Sequence, residues 1–170
     1  MEEIAGKSFI ATLMGGHESA TGPINYLRGH NLGAGGWLVH GAQVGDAAPL
    51  MFHYLEHTED RIHFQISVAG DDEYAGAVLG VNGSGYLGFY DVSEVSDFWK
   101  IEVLHQEGEN DFFFMLRDHR GHRVSATQES LQRGSFWTGS TLKTPVTTFG
   151  YLSVETGTPL TLRATVSEWR

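Results

Sequence analysis

The sequence predicts a single all-β domain, on three observations. Short apolar segments that alternate with polar residues follow one another along the chain, and turns separate them about every 8 to 12 residues. No stretch keeps the i, i+3, i+4, i+7 apolar spacing of an amphipathic helix. The 22 glycines among 170 residues fit a chain with many turns, and no linker divides it. We therefore predict one all-β domain over residues 1–170.

The individual strands are predicted from alternating apolar runs that end at polar or glycine-containing turns. The clearest turn is Asn82-Gly83, because both residue types tolerate a positive φ, and it joins two short apolar runs into a hairpin. Polar turns at 56–60 and 106–110 predict two further hairpins. The predicted strands are 8–14, 51–55, 61–68, 77–81, 85–90, 98–104, 111–116, 123–127, 135–138, 147–154 and 160–166.

Composition excludes several classes of protein. The chain has no cysteine, which excludes disulfides, a thiolate nucleophile and a cysteine-based metal site. The formal net charge of −10, without a basic stripe, predicts that nucleic acid is not a partner. Met1-Glu2-Glu3-Ile4 carries acids where a signal peptide carries bases. We expect a cytoplasmic protein, or one secreted without a cleaved signal peptide.

Three landmarks recur in one order, spaced by roughly 45 to 52 residues, which indicates one supersecondary unit used three times. The units span roughly residues 8–58, 61–105 and 111–155, and a C-terminal strand follows at 160–168. The landmarks are a Leu or Val that opens an extended segment (Leu27, Leu79, Val124), an aromatic residue after a Gly/Ser turn (Trp37, Tyr86, Phe136) and a Phe that begins an apolar alternation (Phe52, Phe98, Phe149).

The middle unit resembles one repeat of the β-trefoil superfamily, of the lectin and fascin-like kind. The resemblance lies in Leu79-Gly-Val-Asn-Gly-Ser-Gly-Tyr-Leu-Gly-Phe89 and Phe98-Trp-Lys-Ile-Glu102. The other two units are similar at 26–30, 35–39 and 51–56, and at 123–126, 135–137 and 149–152. The resemblance implies three equivalent hairpins that close one end of a short barrel. The Gln-x-Trp signature of ricin-type lectins is absent, and on a generous count of extended segments strand 160–166 is a thirteenth, where a trefoil needs twelve.

A second resemblance leaves an alternative fold open, the β-sandwich of actinoporins and fungal fruit-body lectins. It involves residues 31–37, 52–74 and 152–162. Pore-forming members of that family grip lipid headgroups with an aromatic-rich loop. The corresponding stretch here, 70–76, is acidic with one tyrosine, so we expect no membrane insertion.

Both resemblances imply a carbohydrate-binding protein without enzymatic activity or cofactor, whose partners are glycans or glycoproteins. In such sites an aromatic ring stacks on the apolar face of a pyranose, and polar neighbours hydrogen-bond to its hydroxyls. Several weak sites, or a homo-oligomer, would raise the avidity. One predicted ligand site per unit combines Trp37 with His30, Asn31 and His40, Tyr90 with Asn82 and Asp91, and Trp137 with His122 and Thr138.

The alternative function is a protein-binding trefoil, such as a protease inhibitor or a cytoskeletal binder. A toxin or defence protein that binds a membrane glycan or lipid is a third class. His53, His57 and His63 surround one predicted hairpin, but they are interpreted as solvated or strand-face residues rather than metal ligands. The run from Asp118 to His122 has the composition of a tight turn, and the acidic pairs Asp71-Asp72 and Glu107/Glu109 lie in polar turns.

Overall fold

The computed structural model describes residues 3–17, 20–28, 36–41, 44–70, 73–90, 98–132, 135–143 and 146–170. Within them the chain forms sixteen strands and no helix, which confirms the all-β prediction, and none of it could cross a bilayer as an apolar helix. The strands are β1 (Phe9–His17), β2 (Ala20–Tyr26), β3 (Leu38–His40), β4 (Leu50–His57), β5 (Ile62–Val68), β6 (Val78–Val81), β7 (Leu87–Tyr90), β8 (Trp99–Glu107), β9 (Asp111–Arg117), β10 (Ser125–Ala126), β11 (Glu129–Gln132), β12 (Phe136–Thr138), β13 (Thr141–Lys143), β14 (Val146–Ser153), β15 (Thr158–Pro159) and β16 (Thr161–Trp169).

Six strands pair with one another in a closed ring. β1 pairs with β4, β4 with β5, β5 with β8, β8 with β9, β9 with β16, and β16 with β1, always antiparallel. The predicted hairpins around the turns at 56–60 and 106–110 are the β4–β5 and β8–β9 pairs of this ring. Each ring strand therefore has a neighbouring strand on both sides over part of its length, which shields those backbone groups from an open edge.

One pairing register recurs three times around the ring. Two layers of facing side chains fill its interior, and all twelve are at most 2% exposed. The first layer pairs Phe9 with Phe52, Ile62 with Ile101, and Phe112 with Ala164. The second layer pairs Ala11 with Leu50, Phe64 with Trp99, and Phe114 with Leu162. The core therefore lies on the ring axis, where the three β1-, β5- and β9-based pairs contribute equivalent positions.

A bulge also recurs three times, each time three residues after the first-layer residue of the bulged strand. The register shifts between Tyr54 and Glu56, between Val103 and His105, and opposite the step from Ile10 to Ala11. Each shift leaves one residue of the longer strand without a partner, namely Leu55, Leu104 and Ser167. Bulges of this kind bend a strand and increase its twist, which is what closing six strands into a ring requires.

Three hairpins meet at one end of the ring and form the cap. They are β2–β3, β6–β7 and β10–β14. Their second strands touch one another: β14 pairs with β3, and single bridges join Trp37 to Gly88 and Tyr86 to Ser153. Each second strand carries a Gly-aromatic-Leu sequence where it joins the cap, Gly36-Trp37-Leu38, Gly85-Tyr86-Leu87 and Gly150-Tyr151-Leu152. The three leucines are buried, whereas the three aromatic rings lie half-buried against one another.

This arrangement differs from two of the repeat landmarks in the sequence. The third aromatic of the cap is Tyr151 rather than Phe136, which lies in the exposed strand β12. The counterparts of Phe52 are Ile101 and Ala164, whereas Phe98 precedes β8 and is half-buried. The side chain of Phe149 lies outside the described residues.

The third cap hairpin is much longer than the other two. Beyond the cap, β14 continues in register with β11, from Glu129 opposite Phe149 to Gln132 opposite Val146, and β12–β13 follow. In the middle unit the chain between the two equivalent positions, Asn82 and Tyr86, is only a short turn. We call residues 128–150 the arm. Of the strands that belong neither to the ring nor to the cap, β11, β12 and β13 lie in the arm, and β15 is the remaining one.

Candidate functional site

The tip of the arm is the most exposed apolar surface among the described residues. β12 and β13 form a two-stranded sheet that pairs with no other described strand. Trp137 is 69% exposed, Leu142 52% and Phe136 49%. Large apolar side chains are usually covered in a folded chain, so three together on one hairpin indicate a contact surface.

The register of the hairpin divides these side chains between its two faces. Trp137 lies opposite Leu142, and Phe136 lies opposite Lys143. Because cross-strand partners share a face and neighbours alternate, Trp137 and Leu142 form one face while Phe136 and Lys143 form the other. Hydroxyl side chains lie nearby: Thr138 pairs with Thr141 on the face of Phe136, and Ser140 follows Gly139 in the turn. The sequence contains no acidic residue between Glu129 and Glu155, in a chain with a net charge of −10.

Two residues of the first predicted site, Trp37 and His40, lie in the described part of the chain, on opposite faces of β3. The Trp37 ring stacks on Tyr86 in the cap, with ring centroids 5.2 Å apart. His40 lies on the other face of β3 and is buried, where its Nε2 donates to the Gly15 carbonyl at 2.9 Å. The structure therefore does not bring Trp37 and His40 together. His30 and Asn31 lie outside the described residues.

Asn82, from the second predicted site, supports the β6–β7 turn. Its Oδ1 accepts hydrogen bonds from the backbone N–H groups of Ser84 at 2.9 Å and Tyr86 at 3.1 Å. The predicted hairpin is confirmed, but the positive φ, +84°, is at Gly85 rather than at Asn82 or Gly83. The side chain of Tyr90 and all of Asp91 lie outside the described residues.

His122, predicted to accompany Trp137 and Thr138, belongs to the turn between β9 and β10. The buried Asp118 carboxylate accepts from the His122 backbone N–H at 2.8 Å and from its Nδ1 at 3.1 Å. The turn predicted for this run is confirmed, with Gly121 at a φ of +93° and its N–H donating to the Asp118 carbonyl. Trp137 and Thr138 lie instead at the tip of the arm.

The histidines of the first hairpin each have a local role. His57 Nδ1 lies 2.6 Å from the Tyr54 hydroxyl, and His63 Nδ1 lies 3.0 Å from a Glu56 carboxylate oxygen. His53 is exposed. In the part of the chain that the structure describes, no three His, Asp or Glu side chains are grouped so that they could hold a metal ion.

A polar cavity that the sequence did not predict lies on the outside of the ring, across β5, β8 and β9. Its volume is about 380 Å³, and its basic lining residues are Arg61, His63, Lys100 and Arg117. His63 lies opposite Lys100 and Lys100 opposite Arg117, so the three side chains form one row across three strands. The carboxylate of Glu102 pairs with Arg61 at 3.1 Å and with Arg117 at 3.3 Å.

No model of a protein family matches the sequence, and neither a curated protein nor a solved structure shows significant similarity to it. A functional assignment for this chain therefore depends on its fold and on the surfaces described above.

Proposed function

We propose that this chain is a β-trefoil that binds carbohydrate without catalysis, through the tip of its arm. The fold part is supported by the threefold register of the ring and by the three Gly-aromatic-Leu sequences of the cap strands. The repeats would then span residues 9–57, 62–107 and 111–169, with β16 as the last ring strand. The sandwich alternative implies two separate stacked sheets, whereas fourteen of the sixteen strands here belong to one connected sheet.

The exposure of Trp137 is the observation that carries the functional part. An indole ring that is 69% exposed forgoes hydrophobic stabilisation of about 25 cal/mol for each Å² left in water. Most of the large apolar side chains in the described residues are buried, in the ring and the cap. A flat, accessible ring with hydroxyl neighbours is what stacking on a pyranose requires.

The hydroxyl of Ser140, in the turn between β12 and β13, supplies the polar half of such a site, whereas Thr138 and Thr141 share the opposite face with Phe136. A hydroxyl both donates and accepts, so it matches the mixed donor and acceptor character of sugar hydroxyls. Four residues separate Trp137 from Leu142, and this short turn fixes the spacing between the Trp137 ring and the Ser140 hydroxyl. Trp37 and Trp137, treated alike in the sequence, therefore have different roles: the first belongs to the cap, and the second to the ligand surface.

Binding to a protein is the second candidate, and it has its own supporting observation. Phe136 and Leu142, on opposite faces of the hairpin, are both about half exposed. A sugar stacked on Trp137 would cover one face only. A groove of a partner protein would cover both faces, and aromatic anchors of this kind dominate protein interfaces.

A glycan array separates the two candidates. The wild-type protein is expected to be retained by a defined set of glycans, Trp137→Ala to lose that retention, and Trp137→Tyr to keep part of it because a flat ring remains. Leu104→Ala is the matched control, because Leu104 is 48% exposed on a bulge of the ring, away from the arm sequence. Retention by no glycan, or equal loss in Trp137→Ala and Leu104→Ala, would contradict the carbohydrate proposal. Phe136→Ala should matter only for a protein partner.

A further inference from the structure

We propose that the cavity across β5, β8 and β9 is a second binding site, for a small polar ligand that carries one anionic group, such as a carboxylate or a phosphate. The site is separate from the arm and does not depend on the function proposed for it. Three observations support the proposal. They are the charge balance of the cavity, the fixed positions of its two guanidinium groups, and the composition of the equivalent surface elsewhere on the ring.

The charge balance leaves one cation uncompensated. Arg61, Lys100 and Arg117 contribute three positive charges, the carboxylates of Asp60 and Glu102 that pair with the two arginines contribute two negative charges, and the nearby Glu56 carboxylate is paired with His63. Among the ion pairs of the described residues, Lys100 has no carboxylate partner; its ammonium lies 5.8 Å from the centre of the Phe98 ring. Basic side chains directly opposite one another on a sheet repel, so this row is unfavourable until an anion joins it.

The two guanidinium groups are held in place before any ligand arrives. Arg61 Nη1 donates to the Asp60 carbonyl at 2.8 Å, and Arg117 Nη1 donates to the Gly121 carbonyl at 3.1 Å. Glu102 bridges the two groups. Side chains that are already ordered lose little conformational entropy on binding, which raises the affinity for an anion. Lys100 supplies a mobile point charge beside this fixed pair.

The equivalent surface between β9, β16 and β1 shows that the fold does not require basic residues here. In the recurring register, Phe113, Arg163 and Met14 occupy the places of His63, Lys100 and Arg117. That surface also has a cavity, of about 430 Å³, but its single cation is neutralised. Arg163 lies 3.0 Å from an Asp111 carboxylate oxygen. Of these two surfaces, only the one across β5, β8 and β9 carries a cation, Lys100, without a carboxylate partner among the ion pairs of the described residues.

The size of the cavity fits a ligand larger than an inorganic ion. Small-molecule sites have volumes of roughly 300 to 1,000 Å³, and a volume of about 380 Å³ lies at the lower end of this range. Thr58 and Asp60 at its edge offer hydrogen bonds to hydroxyl groups. These properties suit a sugar acid or a sugar phosphate, with the anionic group at Lys100 and the hydroxyls toward Thr58.

Calorimetric titration of the full chain tests the site, with glucuronate, glucose and inorganic phosphate as probes. The wild-type protein is expected to bind glucuronate and phosphate but not glucose, and Lys100→Gln to weaken that binding about tenfold, the effect of one charge-assisted contact. Lys143→Gln, which makes the same change of net charge on the arm, should leave the affinity unchanged.

The two anions distinguish the source of the charged group. Tighter binding of glucuronate supports an organic acid as the ligand, whereas tighter binding of phosphate supports the anion site but assigns it to a free inorganic ion. Any of three results would overturn the proposal. They are equal weakening in Lys100→Gln and Lys143→Gln, binding of glucose as tight as that of glucuronate, and no binding of either anion. Loss of glycan retention in Trp137→Ala with unchanged glucuronate binding would show that the two sites are independent.

Discussion

The indole ring of Trp37 lies nearly parallel to the phenol ring of Tyr86, with the ring centroids 5.2 Å apart and the planes 11° apart. Both rings also contact Tyr151 edge-on, at 5.3 Å and 5.9 Å. Each of the three comes from a different cap hairpin, so the cluster joins strands that are far apart in the sequence. Aromatic pairs of this kind add stability beyond the area that they bury.

Truncation of Trp37 is therefore expected to destabilise the protein. Trp37→Ala should lower the free energy of unfolding by about 2 kcal/mol, less than the 3–5 kcal/mol typical of a fully buried Trp because the ring is half-buried. Trp137→Ala should change it by about 0.5 kcal/mol or less, as exposed positions do. Urea denaturation of both variants measures the difference. A similar loss in the two variants would argue against the cap role of Trp37.

Neighbouring aromatic residues at the start of β8 should differ in the same way. Trp99 is fully buried, and its Nε1 donates to the Leu79 carbonyl at 3.0 Å, so Trp99→Ala should cost about 3–5 kcal/mol. Phe98 is half-buried and packs on His63 at the rim of the cavity, so Phe98→Ala should cost about 1–2 kcal/mol. Thermal unfolding ranks the two, and the reverse order would contradict the assignment of the core.

Gly36 is expected to resist substitution for two separate reasons. Its φ is +83°, and a Cβ atom would lie 2.7 Å from the Phe89 carbonyl oxygen. Gly108 has a φ of +73° but open space around it, so Gly108→Ala isolates the cost of backbone strain, about 1 kcal/mol. Gly36→Ala should lose clearly more stability than this control. Equal losses would mean that the close approach to Phe89 relaxes without cost.

Removal of the arm should spare the fold and abolish binding. Replacing residues 128–150 by Gly-Ser-Gly would give the third cap hairpin the short turn of the middle unit and keep a glycine before Tyr151. The ring and the cap retain their pairings, so circular dichroism and the unfolding midpoint should change little. Loss of glycan retention in this variant is expected. Collapse of the fold would show that the arm stabilises the molecule instead.

The sequence was sufficient for the features that depend on local patterns. Alternation and turns predicted the all-β class and the β4–β5, β6–β7 and β8–β9 hairpins, because each hairpin is fixed by residues close in the chain. The third repeat was harder to align. Phe136 and Tyr151 both follow a glycine or serine. Because the arm is inserted before Tyr151, Phe136 is the aromatic residue that falls at the repeat spacing from Tyr86.

The candidate sites were less predictable, since they depend on contacts across strands. Trp137 was singled out as an aromatic residue, but its exposure follows from the arm lacking a partner strand among the described residues. Arg61, Lys100 and Arg117 are distant in the sequence, and only the ring register brings them together. The only sequence pattern that could have indicated these three residues is the alternation along each strand, which places every second side chain on the outside of the ring.

The closed ring has a consequence for how this protein can change over evolutionary time. Its folding information lies in six strands that hold one another on both sides, whereas the arm emerges from a single hairpin and adds no strand to the ring. Mutations that lengthen or shorten the arm, or that change its side chains, leave the strand pairings of the ring unchanged. Under the proposed function, a lineage built on this chain could exchange its ligand while inheriting the same architecture.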